Sequence, residues 1–319
     1  MATVALLSPQ RAGLPASVAL ELATLARTLG DEVVAYAAGA GAADCAALLG
    51  EHGVSRLVVV ELPEDEPPAP FLAAAIGEAA RAGAYETLLL PATYDGRDVA
   101  ARLSAALDLP VLANAVGLSR EGEGIVAEHA VFGGNEIARA RLTGEGPGLY
   151  LVRAKSVDAA PAGGRAAAVE RATPARPASA TVRIVSRQLE ERSGPALEDA
   201  AVVVSGGRGL GAAERYALIE QLAALLGGAA GASRAVVDAG WAPYARQVGQ
   251  TGKTVKPEVY LAFGISGATQ HLVGMKGARH ILAVNRDATA PIFSVAELGV
   301  VGDITDLLPK LIAALEARR

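Results

Sequence analysis

The segment VVVSGGRGLGAAERY, Val202 to Tyr216, runs from a β-branched apolar stretch through a glycine-rich turn into a helical pattern. A strand that turns straight into a helix is the unit from which parallel α/β sheets are built, so this stretch decides the fold class of its half of the chain. Gly207, Gly209 and Ala212 match G-x-G-x-x-A, a spacing that lets the backbone turn tightly and approach a diphosphate. Taken alone, the fingerprint points to an NAD(P)-dependent dehydrogenase using the SGGRGLG turn, with Asp238, expected at the end of the next strand, as the ribose-binding acid. Arg208 inside the turn argues against that reading, and no catalytic His or Lys constellation is evident beyond it.

Outward from this segment the βα alternation continues. After AAVVVS (200–205) and a helix near 212–227, strands are expected at SRAVVDA (233–239), EVYLAFG (258–264) and HILAVN (280–285), with a closing helix near 305–317. Upstream, strands at 3–8, 32–37, 55–61 and 86–92 alternate with helices near 16–29, 42–50, 70–82 and 96–107. From about 111 to 185 the pattern changes to short strands with Gly-rich turns, so some antiparallel pairing is expected. There DAAPAGGRAAAVERATPARPAS reads as an irregular loop before a last strand, TVRIVS (181–186). The polar segment RQLEERSGPALEDA, 187–200, carries both charge signs and a Gly-Pro pair, and the domain seam is placed in it. The fold class is therefore α/β, with two doubly wound parallel-sheet domains, 1–190 and 197–319, the first with antiparallel additions.

The totals limit the function. Of 319 residues 51% are apolar and 20% charged, and the net charge of −5 gives no basic surplus to recruit nucleic acid or an anionic membrane. One cysteine, Cys45, and four scattered histidines leave no internal disulfide and no metal site, in keeping with a reducing compartment. No membrane span or signal sequence is expected, and the chain reads as a soluble bacterial cytoplasmic protein.

Two further stretches carry polar groups. QVGQTGKTVKP, 247–257, contains GQTGKT, which looks like half of a phosphate-binding P-loop. The leading glycine of G-x-x-x-x-G-K-[ST] falls on Gln247, however, AGWAPYARQ before it is no buried strand, and Pro257 leads into a strand rather than a helix. In GISGATQHLVGMKG, 264–277, a strand ends in glycines and a helix starts near Gly267. That places free amides and the Ser266 hydroxyl at the carboxyl edge of the sheet, with His271 one turn into the helix.

In their order, SGGRGLG, GASRAVVDAGWAP, QVGQTGKTVKPEVYLAFGISGATQHLVGMKG, ILAVNRDATAPIF and ELGVVGD resemble the α subunit of electron-transfer flavoprotein. The likeness covers the last 120 or so residues; DGRDVAARLSAALDLP and GGNEIA carry it more weakly upstream. The resemblance implies a Rossmann-like C-terminal domain that binds FAD. It also implies an N-terminal domain of nucleotide-hydrolase-like type that packs on a β subunit. In SPQRAGLP the first domain offers no glycine cradle, in keeping with a family whose AMP sits in the β subunit.

Carried over position by position, the implied FAD contacts are Arg208, Ser233, Arg234, Val248, Gly249, Gln250, Thr251, Ser266, Gly267, Ala268, Thr269, Gln270, His271, Asn285, Asp303 and Ile304. Thr251 would donate to the central-ring nitrogen, His271 would sit at the pyrimidine carbonyl, and Arg234 would lie over the ring face. A guanidinium and an imidazole there favour the negative charge that a reduced flavin acquires. Thr254, Lys256 and Leu298 depart from the family's usual residues, on the flanks of these motifs. The implied function is an electron carrier without its own substrate turnover, serving processes such as fatty-acid β-oxidation. It would accept electrons from acyl-CoA or related dehydrogenases and deliver them to a quinone oxidoreductase.

Overall fold

A computed structural model describes residues 2–187 and 194–318. Two compact units divide the chain, Met1–Gln188 and Leu189–Arg319. Of the segment expected to hold the seam, residues 188–193 lie outside those described.

The first unit begins with β1 (Thr3–Leu7), a small hairpin of β2 (Gln10–Arg11) and β3 (Leu14–Pro15), and α1 (Ser17–Leu29). It continues through β4 (Glu32–Ala38), α2 (Ala46–Glu51), β5 (Arg56–Val60), α3 (Pro68–Arg81), β6 (Thr87–Pro91) and α4 (Tyr94–Leu107). Then come β7 (Val111–Ala115), β8 (Gly117–Glu121), β9 (Gly124–Val131), β10 (Glu136–Arg141), β11 (Gly148–Val152) and β12 (Ala168–Ala172). A seven-stranded sheet runs β12-β5-β4-β1-β6-β11-β7 with every pair parallel. Apolar side chains of α1 and α2, among them Leu22, Leu29 and Leu49, cover one face, and Phe71, Leu72, Ile76 and Leu103 of α3 and α4 cover the other. The expected antiparallel pairing is the three-stranded sheet β10-β9-β8.

Two expectations fail in this unit. Ala168–Ala172, within the stretch read as irregular, is an edge strand parallel to β5. Four of its five side chains are exposed, so no buried face marks it and the backbone ladder alone makes it a strand. Conversely, residues 181–187 form no regular element, and Val182 and Val185 point to solvent. Their β-branched pattern has no sheet to pack on.

The second unit holds β13 (Val202–Gly206), α5 (Tyr216–Leu225), β14 (Ala229–Ala232), α6 (Arg234–Asp238), β15 (Val259–Phe263), α7 (Thr269–Leu272), β16 (His280–Asn285), β17 (Leu298–Val301) and α8 (Ile304–Glu316). All five strands are parallel in the order β14-β13-β15-β16-β17. This is the doubly wound order 2-1-3-4-5, whose strand order reverses between β13 and β15. Ile219, Leu222, Leu308 and Ile312 pack α5 and α8 on one face, while Tyr260, Met275, Ile281 and Ile292 fill the other.

The strand expected at 233–239 lies earlier. AAGA, 229–232, pairs with β13, and 234–238 form a helical turn that buries Val236. Gly231 fixes this register, because a Cβ there would stand 2.2 Å from the Ser205 Oγ on β13. Asp238 consequently ends no strand; it pairs with Arg234 across one turn at 3.2 Å.

Candidate functional site

At the carboxyl ends of β13 and β15 the two following loops pack backbone to backbone. Gly207 N donates to Phe263 O at 2.8 Å and Gly209 N to Gly264 O at 3.1 Å. A Cβ on Gly207 would lie 2.2 Å from Gly264 O, and one on Gly209 would lie 2.7 Å from Gly264 Cα. These glycines therefore serve the approach of two loops, and their amides are spent on carbonyls. A nicotinamide fingerprint would need that face open to a diphosphate, so the dehydrogenase reading fails here.

The 247–253 segment is a closed turn. Gly252 N donates to Gly249 O, Gly249 N to Lys253 O and Lys253 N to Gln247 O, while Gln250 N reaches across to Gln270 O at 2.7 Å. Lys253 Nζ pairs with Glu198 Oε1 at 2.7 Å. With the Gly249, Gly252 and Lys253 amides used inside the turn, the Gln250 amide given to Gln270 O and the lysine paired, the segment has no phosphate cradle.

Beyond these loops lies a cavity of about 700 Å³. The loop after β13 contributes Arg208, the start of α6 contributes Ser233 and Arg234, and the closed turn contributes Val248, Gly249, Gln250 and Thr251. Ser266, Ala268, Gln270 and His271 line it from the loop after β15 and from α7, and Asn285 lines it from the end of β16. Asn285 is set by its own bonds: Nδ2 donates to Ile265 O at 3.0 Å and Oδ1 accepts from Asp287 N at 3.0 Å.

Four residues named from the sequence are not on the wall. Gly267 (φ +86°) backs onto Ile292, where a Cβ would meet the Ile292 nitrogen at 2.2 Å. Thr269 is the exposed first residue of α7. Asp303 caps α8, accepting from Thr305 N at 2.8 Å and Thr305 Oγ1 at 2.7 Å, bonds that hold its carboxyl below the usual range. Ile304 is buried with Leu308 and Ile312. Conversely, Gln247, Arg286 and Asp287 also line the cavity. Arg286 and Asp287 adjoin Asn285 in sequence, a signal available in ILAVNRDATAPIF. Gln247 stood out only as the residue where a P-loop glycine was missing.

His271 is nearly buried, at 7% exposure. Its Nε2 and the hydroxyl of fully buried Tyr260 are 2.9 Å apart, and its Nδ1 is shut off from solvent without a hydrogen bond of normal geometry. Burial pushes its pKa down to about 4, with the Val248 carbonyl pulling weakly the other way, so the ring is neutral near pH 7.

A switch-point crevice in an open α/β sheet, lined by cations and hydroxyls together with apolar Val248, Ile265, Ala290 and Pro291, suits a nucleotide with a flat ring. Comparison with known families agrees. Residues 4–177 match the electron transfer flavoprotein domain, and residues 196–276 match the electron transfer flavoprotein FAD-binding domain.

The chain belongs to the electron transfer flavoprotein family.

Relatives of this family that carry the name electron transfer flavoprotein subunit alpha include one from Mycobacterium leprae (strain TN), 39% identical over 327 residues and the full length of both chains. Another, from Paracoccus denitrificans, is 41% identical over 293 residues, covering 91% of this chain and 92% of its own. A third, from Syntrophomonas wolfei, is 37% identical over 311 residues, covering 96% and 97%. The resemblance to the α subunit read from the motifs thus holds along the whole chain. The cofactor of the family's C-terminal domain is FAD. The donor set fits it: exposed Arg208 and Arg286 match the charge of a diphosphate, and apolar Val248, Ile265, Ala290 and Pro291 among the lining residues suit a flat ring. As an α subunit the chain is an electron carrier that works with a β subunit. Among the described residues no helix is long and apolar enough to cross a membrane.

Proposed function

We propose that the C-terminal unit holds FAD in the cavity beyond β13 and β15. We propose further that the pair of α and β subunits takes electrons from flavin dehydrogenases such as acyl-CoA dehydrogenases and passes them to a quinone oxidoreductase in a bacterial cytoplasm. The N-terminal unit packs on the β subunit. The observation that supports the reading best is the crevice itself, where Arg208, Ser233, Arg234, Gln250, Thr251, Ser266, Gln270 and Asn285 converge from five segments on one cavity.

FAD, when bound, supplies the reversible electron transfer; the chain's own residues bind and orient it. Arg208 and Ser233 would hold the diphosphate and ribityl chain, and the Arg234 guanidinium, which shares its charge with Asp238, would lie over the ring. Thr251 would donate toward the ring. His271, neutral and hydrogen-bonded to Tyr260, would face the pyrimidine end. Gly267 supports the cavity indirectly, by letting the loop after β15 pack on Ile292.

The test is anaerobic mixing of the purified α/β pair with an acyl-CoA dehydrogenase and its acyl-CoA. Bleaching of the visible flavin band on mixing, and its recovery with a quinone oxidoreductase and quinone, is the expected result. A band that stays unchanged with a competent dehydrogenase would refute this choice of donor.

A further inference from the structure

We propose that Gln247 sets the donor polarity of Thr251 and acts, through that hydroxyl, on the ligand in the cavity. The inference rests on the flavin reading above. Gln247 is 2% exposed, and its Nε2 donates to Thr251 Oγ1 at 3.0 Å. A hydroxyl has one hydrogen and two lone pairs. With a lone pair taken by the amide, the hydrogen turns away from Gln247, and among the described residues Oγ1 makes no other hydrogen bond. Thr251 is exposed and lines the cavity, so its O–H is left as a donor to what fills it.

The turn is built to keep this arrangement. Gln247 N donates to Tyr244 O, and Val248 N ties the strand-like entry to Ala232 O of β14 at 2.9 Å. The Tyr244 hydroxyl donates to the Thr251 carbonyl, pinning the other end. Gly252 completes the closure, because a Cβ there would fall 2.3 Å from the Gln247 carbonyl oxygen and 2.9 Å from its Cγ. Gln247 is thus a positioning residue held in one place by main-chain bonds on both sides. The second glycine of GQTGKT is there to let the chain fold over it.

A double-mutant cycle on the α/β pair tests this, read as the midpoint potential of bound FAD, its visible spectrum and the thermal midpoint. Gln247→Met keeps the length of the side chain and removes the amide; Thr251→Ala removes the hydroxyl. Each single change is expected to lower the potential and to raise the Kd for FAD about fivefold, the worth of about one neutral hydrogen bond. The double variant is expected to match Thr251→Ala alone. Additive shifts in the double variant would overturn the proposal. Gln247→Glu provides a second route, since a carboxylate only accepts and draws the Thr251 hydrogen away from the cavity. Its effect on the potential is expected to be larger with Thr251 present than in the Thr251→Ala background, and equal effects would also overturn the proposal. A wild-type pair that takes up no FAD would refute the flavin reading and this inference together. Bound FAD with an additive cycle would refute this inference alone.

Discussion

The two units use one architecture and treat the end of their first strand in opposite ways. After β13 the chain turns on Gly207 and Gly209 close against the loop after β15, and a cavity of about 700 Å³ is left beyond them. After β1 the chain instead forms its own β2–β3 hairpin, which packs against the end of β4 and the loop after it. Gln10 Nε2 donates to Ala38 O at 3.1 Å and to Ala40 O at 3.0 Å, and Gln10 Oε1 accepts from Gly13 N at 3.1 Å. A glutamine just after β1 thus takes up carbonyls at the end of the neighbouring strand β4, backbone groups of the kind that a ligand would meet. The doubly wound sheet supplies a place for a ligand; the loop that follows the first strand decides whether the place is kept open.

The largest effect of a single substitution at neutral pH should come from closing the glycine contact. Gly207→Ala puts a methyl 2.2 Å from the Gly264 carbonyl oxygen, a backbone atom already engaged by Gly209 N. A loss of about 3 kcal/mol in the stability of the C-terminal unit is expected, at the upper end of overpacking costs. A calorimetric scan in which that unit melts unchanged would break the account of the crevice.

Acid should next distinguish the units through His271. Its folded pKa of about 4 lies below the ordinary 6.5, so the unfolded chain takes up the proton first. Stability from this group is complete above about pH 6.5, falls as pH drops toward 4, and falls no further below that. The slope is about 1.4 kcal/mol per pH unit inside the window. Urea titrations across pH should show it in the wild type and not in His271→Gln; equal slopes would remove His271 as its source.

The smallest effect belongs to the first unit. Gln10→Ala gives up three partly exposed hydrogen bonds and should cost about 1–2 kcal/mol, with the FAD content of the pair unchanged. Lost FAD in this variant would mean that the β1 end is no mere closed counterpart of the β13 end.

Much of this was readable in the sequence where burial and periodicity agree. Helices α1, α3, α4 and α8 and strands β1, β4, β5, β6, β15 and β16 fall within a few residues of their expected places, because each buries one continuous apolar face. What escaped was decided by pairing. AAGA of β14 and AVERA of β12 carry no strand signal of their own, and β17, LGVV, is exposed along its whole length. The glycine fingerprint was visible, yet its partner proved to be Gly264, some 55 residues further on, where a local spacing rule does not look. Gln247 escaped for a similar reason. Its meaning lies in a hydrogen bond to Thr251 across a closed turn, and the sequence shows only that it is not glycine.

The cavity beyond the loops of β13 and β15 as the seat of FAD is tested most directly by the FAD-to-chain ratio of the purified α/β pair carrying Ser266→Trp. Ser266 is exposed on the cavity wall, so an indole there fills the space without entering the core. A wild-type pair with one FAD per α chain and a folded variant with almost none is the predicted outcome. A folded variant that keeps the wild-type ratio and visible spectrum would contradict it.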